Sequence, residues 1–275
     1  MSAKYLLLAP LLVESALAGS LNTGSFSSSL SPFSACNYKS PSSVTTSDGT
    51  AEFYFDESDF DDTRDDKGVE ICVFEDGTST NVAQMTKEGW QGFNLYVSSD
   101  SFPTDRSTII AQQFCPGGCS SWCGGLQVVD NALVAEHRAS CGEATTTTIV
   151  SDIERDTWHD VVVHMRVSQE QDGAYEVWWD GTQVYSVDGT DIGFGTWDGD
   201  ALSSGWYFKN GIYAFGKYRW NPERIHGGHQ ADYGLDTEDY VDDTTRTLLF
   251  DNVSWYETDS DETDGYDTVA PGSAS

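Results

Sequence analysis

The chain has 275 residues, 38% hydrophobic and 13% aromatic, with 45 acidic against 14 basic side chains and a net charge of −31. So few cations exclude a general nucleic-acid binder, whose phosphate contacts need Lys and Arg. No stretch approaches the roughly 20 apolar residues of a transmembrane helix, so no membrane partner is expected either.

In chain order, residues 1–18 read as a signal peptide. Lys4 supplies the positive start, residues 5–13 form a short apolar run, and Ala16-Leu17-Ala18 fits a small-residue cleavage site. The protein is therefore expected outside the cell. Residues 19–34 are rich in Ser and Gly and read as a leader to the domain. One domain is expected over residues 35–256. Residues 257–275 hold Asp, Glu, Gly and Ser with little to bury, and are expected to be a disordered acidic tail.

All six cysteines lie past the leader peptide: Cys36, Cys72, Cys115, Cys119, Cys123 and Cys141. The spacing Cys115-x3-Cys119-x3-Cys123 would also suit a metal. Gly117, Gly118, Gly124 and Gly125 make that stretch a tight loop, however, and three further cysteines supply partners. Up to three disulfides are the reading, with connectivity left open. The run Asp56-Glu57-Ser58-Asp59-Phe60-Asp61-Asp62 carries oxygen ligands for a structural calcium ion. It lacks the fixed spacing of an EF-hand loop, so it reads first as a solvated acidic loop. No cofactor is required.

Strand patterns dominate. Residues 108–114, 126–129, 132–137 and 248–256 are strand-like, and no long run has helical apolar spacing. Over residues 161–167, Val161, Val163, Met165 and Val167 fall on one face, and Val162, His164 and Arg166 on the other. Tyr175-Glu176-Val177-Trp178-Trp179, then Asp180-Gly181, then Thr182-Gln183-Val184-Tyr185 reads as a hairpin, because Asp-Gly suits the positive φ angles of a type I′ turn. The fold class is all-β: a two-sheet β-jelly roll, a concanavalin-like sandwich with a concave substrate cleft.

One segment departs from the prevailing charge. From residue 207 to 230 stand Lys209, Lys217, Arg219, Arg224, His226 and His229, with Glu223 the one acid. As an extended strand it places Tyr207, Lys209, Tyr213, Phe215, Lys217 and Arg219 on one side, and Phe208, Ile212 and Ala214 on the other. Aromatic rings stack on sugars and cations meet carboxylates, so the first face suits an acidic polysaccharide. It would serve as well as an ordinary exposed sheet surface.

The segment Tyr207-Phe208-Lys209-Asn210-Gly211-Ile212-Tyr213 resembles the YFKxGxY signature of jelly-roll polysaccharide lyases. Thr157-Trp158-His159-Asp160 through Trp178-Trp179-Asp180-Gly181 resembles their W-H-D and W-x-D-G hairpin region. Leu249-Phe250-Asp251-Asn252-Val253 resembles their last strand. The nearest group is glucuronan lyase, polysaccharide lyase family 20, related to alginate lyases. The chain is expected to be a monomer. The resemblance implies β-elimination on an acidic polysaccharide, with Tyr213 as base, acid or both. It also implies a Gln-x-His strand. Here Gln112-Gln113-Phe114 supplies Gln112, with Gln113 as rival if the register slips by one, and Phe114 where histidine is expected. An Arg-x-Glu strand is poorly matched by Lys67-Gly68-Val69-Glu70-Ile71.

Elimination removes the C5 proton of a uronic acid, and donors must meet charge spreading into the C6 carboxylate. Gln112 with Lys209 or Arg138 could supply them. His137, beside Arg138 on a strand, is the first substitute for the missing histidine. His226 and His229 come next, while His159 and His164 read as structural. The site is thus expected to combine Tyr213, Gln112 and His137 for catalysis with Tyr207, Lys209, Arg138, Lys217 and Arg219 for binding. Two alternatives stay open. A retaining hydrolase needs two close carboxylates, for which Asp152-Ile153-Glu154-Arg155-Asp156 is the nearest match. A non-catalytic module needs only the aromatic and basic face. Asn252-Val253-Ser254 is a glycosylation sequon placed inside an expected strand.

Overall fold

The computed structural model describes residues 20–38, 40–56, 68–75, 81–103, 107–214, 245–258 and 265–272. The signal peptide, the acidic run beyond Asp56, Phe215, Lys217, Arg219, His226 and His229 lie outside the described residues.

Among the described residues, fifteen strands and one short helix follow in order. The first half holds β1 (Ser20–Gly24), β2 (Phe33–Asn37), β3 (Ser43–Ser47), β4 (Thr50–Asp56), β5 (Gly68–Val73), β6 (Glu88–Val97), β7 (Thr108–Cys115) and β8 (Ser121–Val129). The second holds β9 (Ala132–His137), β10 (Thr145–Val150), β11 (Trp158–Arg166), β12 (Ser168–Trp179), β13 (Thr182–Ile192), β14 (Tyr207–Tyr213), β15 (Thr245–Thr258) and the helix α1 (Gly265–Val269). The strands form two antiparallel sheets. Sheet A runs β13-β12-β11-β6-β15-β4-β3, with β1 also on β15; sheet B runs β10-β9-β8-β7-β14-β5-β2. The two-sheet sandwich is as expected.

Alternation explains the packing. Val161, Val163 and Met165 of β11 enter the main core with Phe53, Phe93, Phe208 and Phe250. Val162, on the opposite parity, joins a separate cluster on the outer face of sheet A with Trp90, Tyr256 and Val269. The hairpin turns where Asp-Gly allows it, with φ of 50° at Asp180 and 75° at Gly181.

Both ends differ from expectation. The Ser-rich leader contributes β1, paired with β15, and buries Phe26 and Phe33 in the core. The tail is not wholly disordered: β15 runs on to Thr258, and α1 buries Val269 against β6 and β15. The low apolar content of these segments concealed a few well-placed side chains, and burial of those is what orders a segment.

The cysteines pair as Cys36–Cys72, Cys115–Cys123 and Cys119–Cys141, leaving none free. Among the described residues no group of His, Cys, Asp or Glu could hold a metal ion.

Candidate active site

A buried polar chain fixes which glutamine faces which way. Gln113 points between the sheets, where its Oε1 accepts from the Tyr175 hydroxyl at 2.8 Å and its Nε2 donates to Gln91 at 3.0 Å. Gln91 in turn donates to Asn210 Oδ1 at 2.7 Å, which also accepts from Trp255 Nε1 at 2.9 Å. Burial holds the Tyr175 hydroxyl pKa well above 10.0, so it stays a neutral donor. These bonds bolt β7 and β14 of sheet B to β6, β12 and β15 of sheet A. Gln112, one residue earlier, is therefore turned to the outer face of sheet B.

That face is organised in lateral rows. Lys209 of β14 is opposite Gln112 of β7, which is opposite Gly125 of β8, itself opposite Glu136 of β9. On one side of this row lie Tyr207, Phe114 and Trp122; on the other, Tyr213 and Ile109. Tyr213, Ile109 and Trp122 form a small cluster of their own, with the Tyr213 and Trp122 rings 6.3 Å apart.

Between Asn210 and Tyr213 the pairing with β7 shifts by one residue. Gly211 sits in this bulge at φ 141°, where a Cβ would strike the carbonyl oxygen of Val69. The glycine is thus required by close backbone approach to β5. On the β5 side the register is unbroken, so alternation keeps Lys209 and Tyr213 on one side while Asn210 and Ile212 enter the core.

Among the described residues, Lys209 and Arg138 on this face are each held by a carboxylate and a ring. Lys209 Nζ is 3.1 Å from Glu70 Oε2 and lies 4.5 Å from the centre of the Phe114 ring. Glu70 also accepts from Asn37 Nδ2 at 3.0 Å and, through Oε1, from Gln112 Nε2. Three donors from three strands therefore converge on one buried carboxylate. The Cys36–Cys72 disulfide fastens β2 to β5 beside this point. On the far side, Arg138 donates to Glu136 Oε1 from Nη2 at 2.9 Å and from Nε at 3.2 Å, and stands 4.3 Å over the Trp122 ring. Glu136 also accepts from Trp122 Nε1 and Gln127 Nε2. Desolvated pairs of this kind are charge-assisted, and the aromatic faces add cation–π attraction.

Of the residues expected to act together, the structure brings Tyr213, Gln112, Tyr207, Lys209 and Arg138 to one face of sheet B. His137 is not with them. Its parity is opposite to that of Glu136, and its ring lies inside against Tyr175 and Tyr185, with Nε2 3.0 Å from the Tyr185 hydroxyl. Burial lowers its pKa below 6.5. His137 therefore does not occupy the place of the absent histidine. Phe114, where the resemblance implies that histidine, is paired opposite Tyr207 with ring centres 5.3 Å apart. His159 and His164 bond to Asp180 and to Glu88 and Glu176 respectively, away from this face.

Glu70, Glu136, Trp122 and Asn37 were not picked out as site residues from the sequence. The available signal was an acid placed within an otherwise apolar strand, as in Gly68-Val69-Glu70-Ile71-Cys72-Val73 and Ala132-Leu133-Val134-Ala135-Glu136. A charge there is tolerated only with partners. The carboxylates suggested for hydrolysis, Asp152, Glu154 and Asp156, lie in the loop between β10 and β11, where Asp152 holds Asn131 and Asp156 holds Ser99.

A family model described as polysaccharide lyase matches residues 73–254. No curated protein matches the chain in sequence. Among solved structures, the endo-β-1,4-glucuronan lyase of the fungus Trichoderma reesei superposes with a TM-score of 0.60 at 17% identity, covering 93% of this chain and 99% of that one. An alginate lyase from Pseudomonas aeruginosa gives a TM-score of 0.49 at 14% identity, over 80% and 88%. At 17% identity the likeness to the glucuronan lyase speaks for the jelly-roll fold alone.

Proposed function

The chain belongs to the polysaccharide lyase family, an enzyme family whose substrates are acidic polysaccharides, and we propose that it cleaves glucuronan, or failing that alginate, by β-elimination on the outer face of sheet B. The observation that carries this reading is the convergence of Gln112, Lys209 and Glu70 on the face that also holds Tyr213. The fold shared with a glucuronan lyase, together with the Tyr207–Tyr213 signature, is the ground for putting glucuronan first.

Chemically, the base removes the C5 proton, the electron pair passes toward C4, the C4–O4 bond breaks, and the departing oxygen takes up a proton. Tyr213 is the residue proposed to transfer protons, since phenols can serve in either direction. Gln112 and Lys209 are proposed to meet the charge that spreads into the C6 carboxylate, where fixed donors in a water-poor site act most strongly. Glu70 acts through them: it fixes the amide of Gln112 and the ammonium of Lys209 relative to one another. Phe114 cannot exchange protons, so its ring instead seats the Lys209 cation. Tyr207, and Arg138 standing on Trp122, extend the face along the polymer.

Three disulfides fit an oxidising compartment, and with the leader-like residues 1–18 they support secretion. No helix among the described residues is long and apolar enough to cross a membrane. The test is ultraviolet absorbance of unsaturated uronide ends during incubation with glucuronan and with alginate. New absorbance is expected on a polyuronate, and Tyr213→Phe should lower kcat by about 10²-fold or more with folding and binding kept. Full activity in that variant would sink the role given to Tyr213. Turnover of neither polymer would sink the substrate assignment.

A further inference from the structure

Asn252-Val253-Ser254 is the single Asn-x-Ser/Thr sequon of the chain. From sequence it falls inside a strand, where ladder neighbours on both sides would crowd the asparagine. The structure interrupts β15 at this point from both sides. Toward β6, Asp251 pairs with Asn94 and Ser254 with Gly92, so Asn252 and Val253 together oppose one residue, a β-bulge. On the other edge β15 changes partner: β4 accompanies it as far as Phe250, and β1 takes over from Val253. Asn252 sits in the gap between these two partners.

Its backbone is left-handed, with φ of 49°, a conformation that Asn adopts more readily than most residues. Val253 is buried in the core, whereas the Asn252 side chain is exposed. Nδ2 donates to Asn94 Oδ1 at 2.7 Å, across the outer face of sheet A. The catalytic face belongs to the other sheet, so a large group here would leave the site clear.

We propose that Asn252 is an N-glycosylation site. The reaction joins Nδ2 to the anomeric carbon of an oligosaccharide carried on a polyprenyl diphosphate. The new bond is C1–N; the bond broken is C1–O to the diphosphate, which leaves with its electron pair, and Nδ2 releases one proton. The amide keeps one N–H for a hydrogen bond. The proposal rests on the reading that the chain is exported, so the test separates the two.

The full chain is expressed in a host that glycosylates secreted proteins, once with its own N-terminus and once behind a host leader. The expected result in the second arm is a secreted protein heavier than its polypeptide. The excess should vanish on treatment with the amidase that cleaves the sugar–asparagine bond, leaving aspartate at position 252. Asn252→Gln and, as a second variant that keeps the asparagine, Ser254→Ala should each lack the excess. Secreted, folded protein with unmodified Asn252 overturns the proposal. Retention of the chain with its own N-terminus, beside glycosylated product from the other arm, overturns export alone.

Discussion

Replacing Glu70 by glutamine tests whether the site is held together by its central carboxylate. Glu70 accepts from Asn37, Gln112 and Lys209, and the side chains of Glu70 and Lys209 are only 3% and 9% exposed. Solvent therefore screens this pair weakly. Glu70→Gln keeps the volume but removes the charge opposite Lys209 and turns an NH2 group toward one of three donors. Breaking one side of a buried ion pair costs about 3–5 kcal/mol. Lys209 keeps its contact with the Phe114 ring, worth about 0.5–2 kcal/mol, so a loss of about 2–4 kcal/mol is expected. For a domain of this size that corresponds to a fall in Tm of about 5–15 °C, read by near-ultraviolet circular dichroism. With Gln112 and Lys209 unanchored, kcat/KM should drop by about 10²-fold, the scale of a 1 Å misplacement. The double variant Glu70→Gln, Lys209→Met should regain much of the stability and none of the activity, since the orphan charge is gone but so is the donor. A single variant within about 0.5 kcal/mol of the parent and with unchanged kcat/KM would refute the reasoning.

Two further outcomes concern the outer face of sheet A. A Cβ at Gly92 would strike the carbonyl oxygen of Val269, so Gly92→Ala should undock α1, costing about 1–3 kcal/mol and raising amide exchange over residues 265–270; unchanged exchange there would show that the helix does not rest on Gly92. His164 lies between Glu176 and Glu88; burial opposes its charge, but its hydrogen bonds to both carboxylates prevail and raise its pKa above 6.5. A raised histidine contributes its stability in full below pH 6.5 and loses it as pH rises through the folded value. Glu176, lowered from 4.5 chiefly by the bond to His164, contributes above pH 4.5 and loses that as pH falls through its folded value. The Tm difference between the parent and His164→Gln should therefore be widest between pH 4.5 and 6.5 and shrink in alkali. A difference that grows toward alkaline pH would contradict the assigned sign.

The strands were legible because their cause is local. Side chains alternate along any extended segment, so Val161, Val163 and Met165 could be sorted from Val162 and His164 without knowing what they would meet. The same rule separated Tyr207, Lys209 and Tyr213 from Phe208 and Ile212, and the Asp180-Gly181 turn followed from backbone sterics at two residues. The leader and the tail were misjudged because composition averages over a segment, while Phe26, Phe33 and Val269 order theirs singly.

By itself, then, the chain's sequence determined an all-β sandwich, the location of the strand Tyr207–Tyr213 and the sorting of its side chains into two faces. Only the tertiary structure decided which partners those faces meet. Glu70 is 139 residues from Lys209 in sequence and Glu136 is 14 from Trp122, yet each pair closes across neighbouring strands. The strand order and register that bring them together depend on how two whole sheets bury their inner faces. The same is true of His137, whose neighbour Arg138 looks outward. Which of two adjacent residues enters the core is settled by the sheet it packs against, and no local pattern contains that sheet.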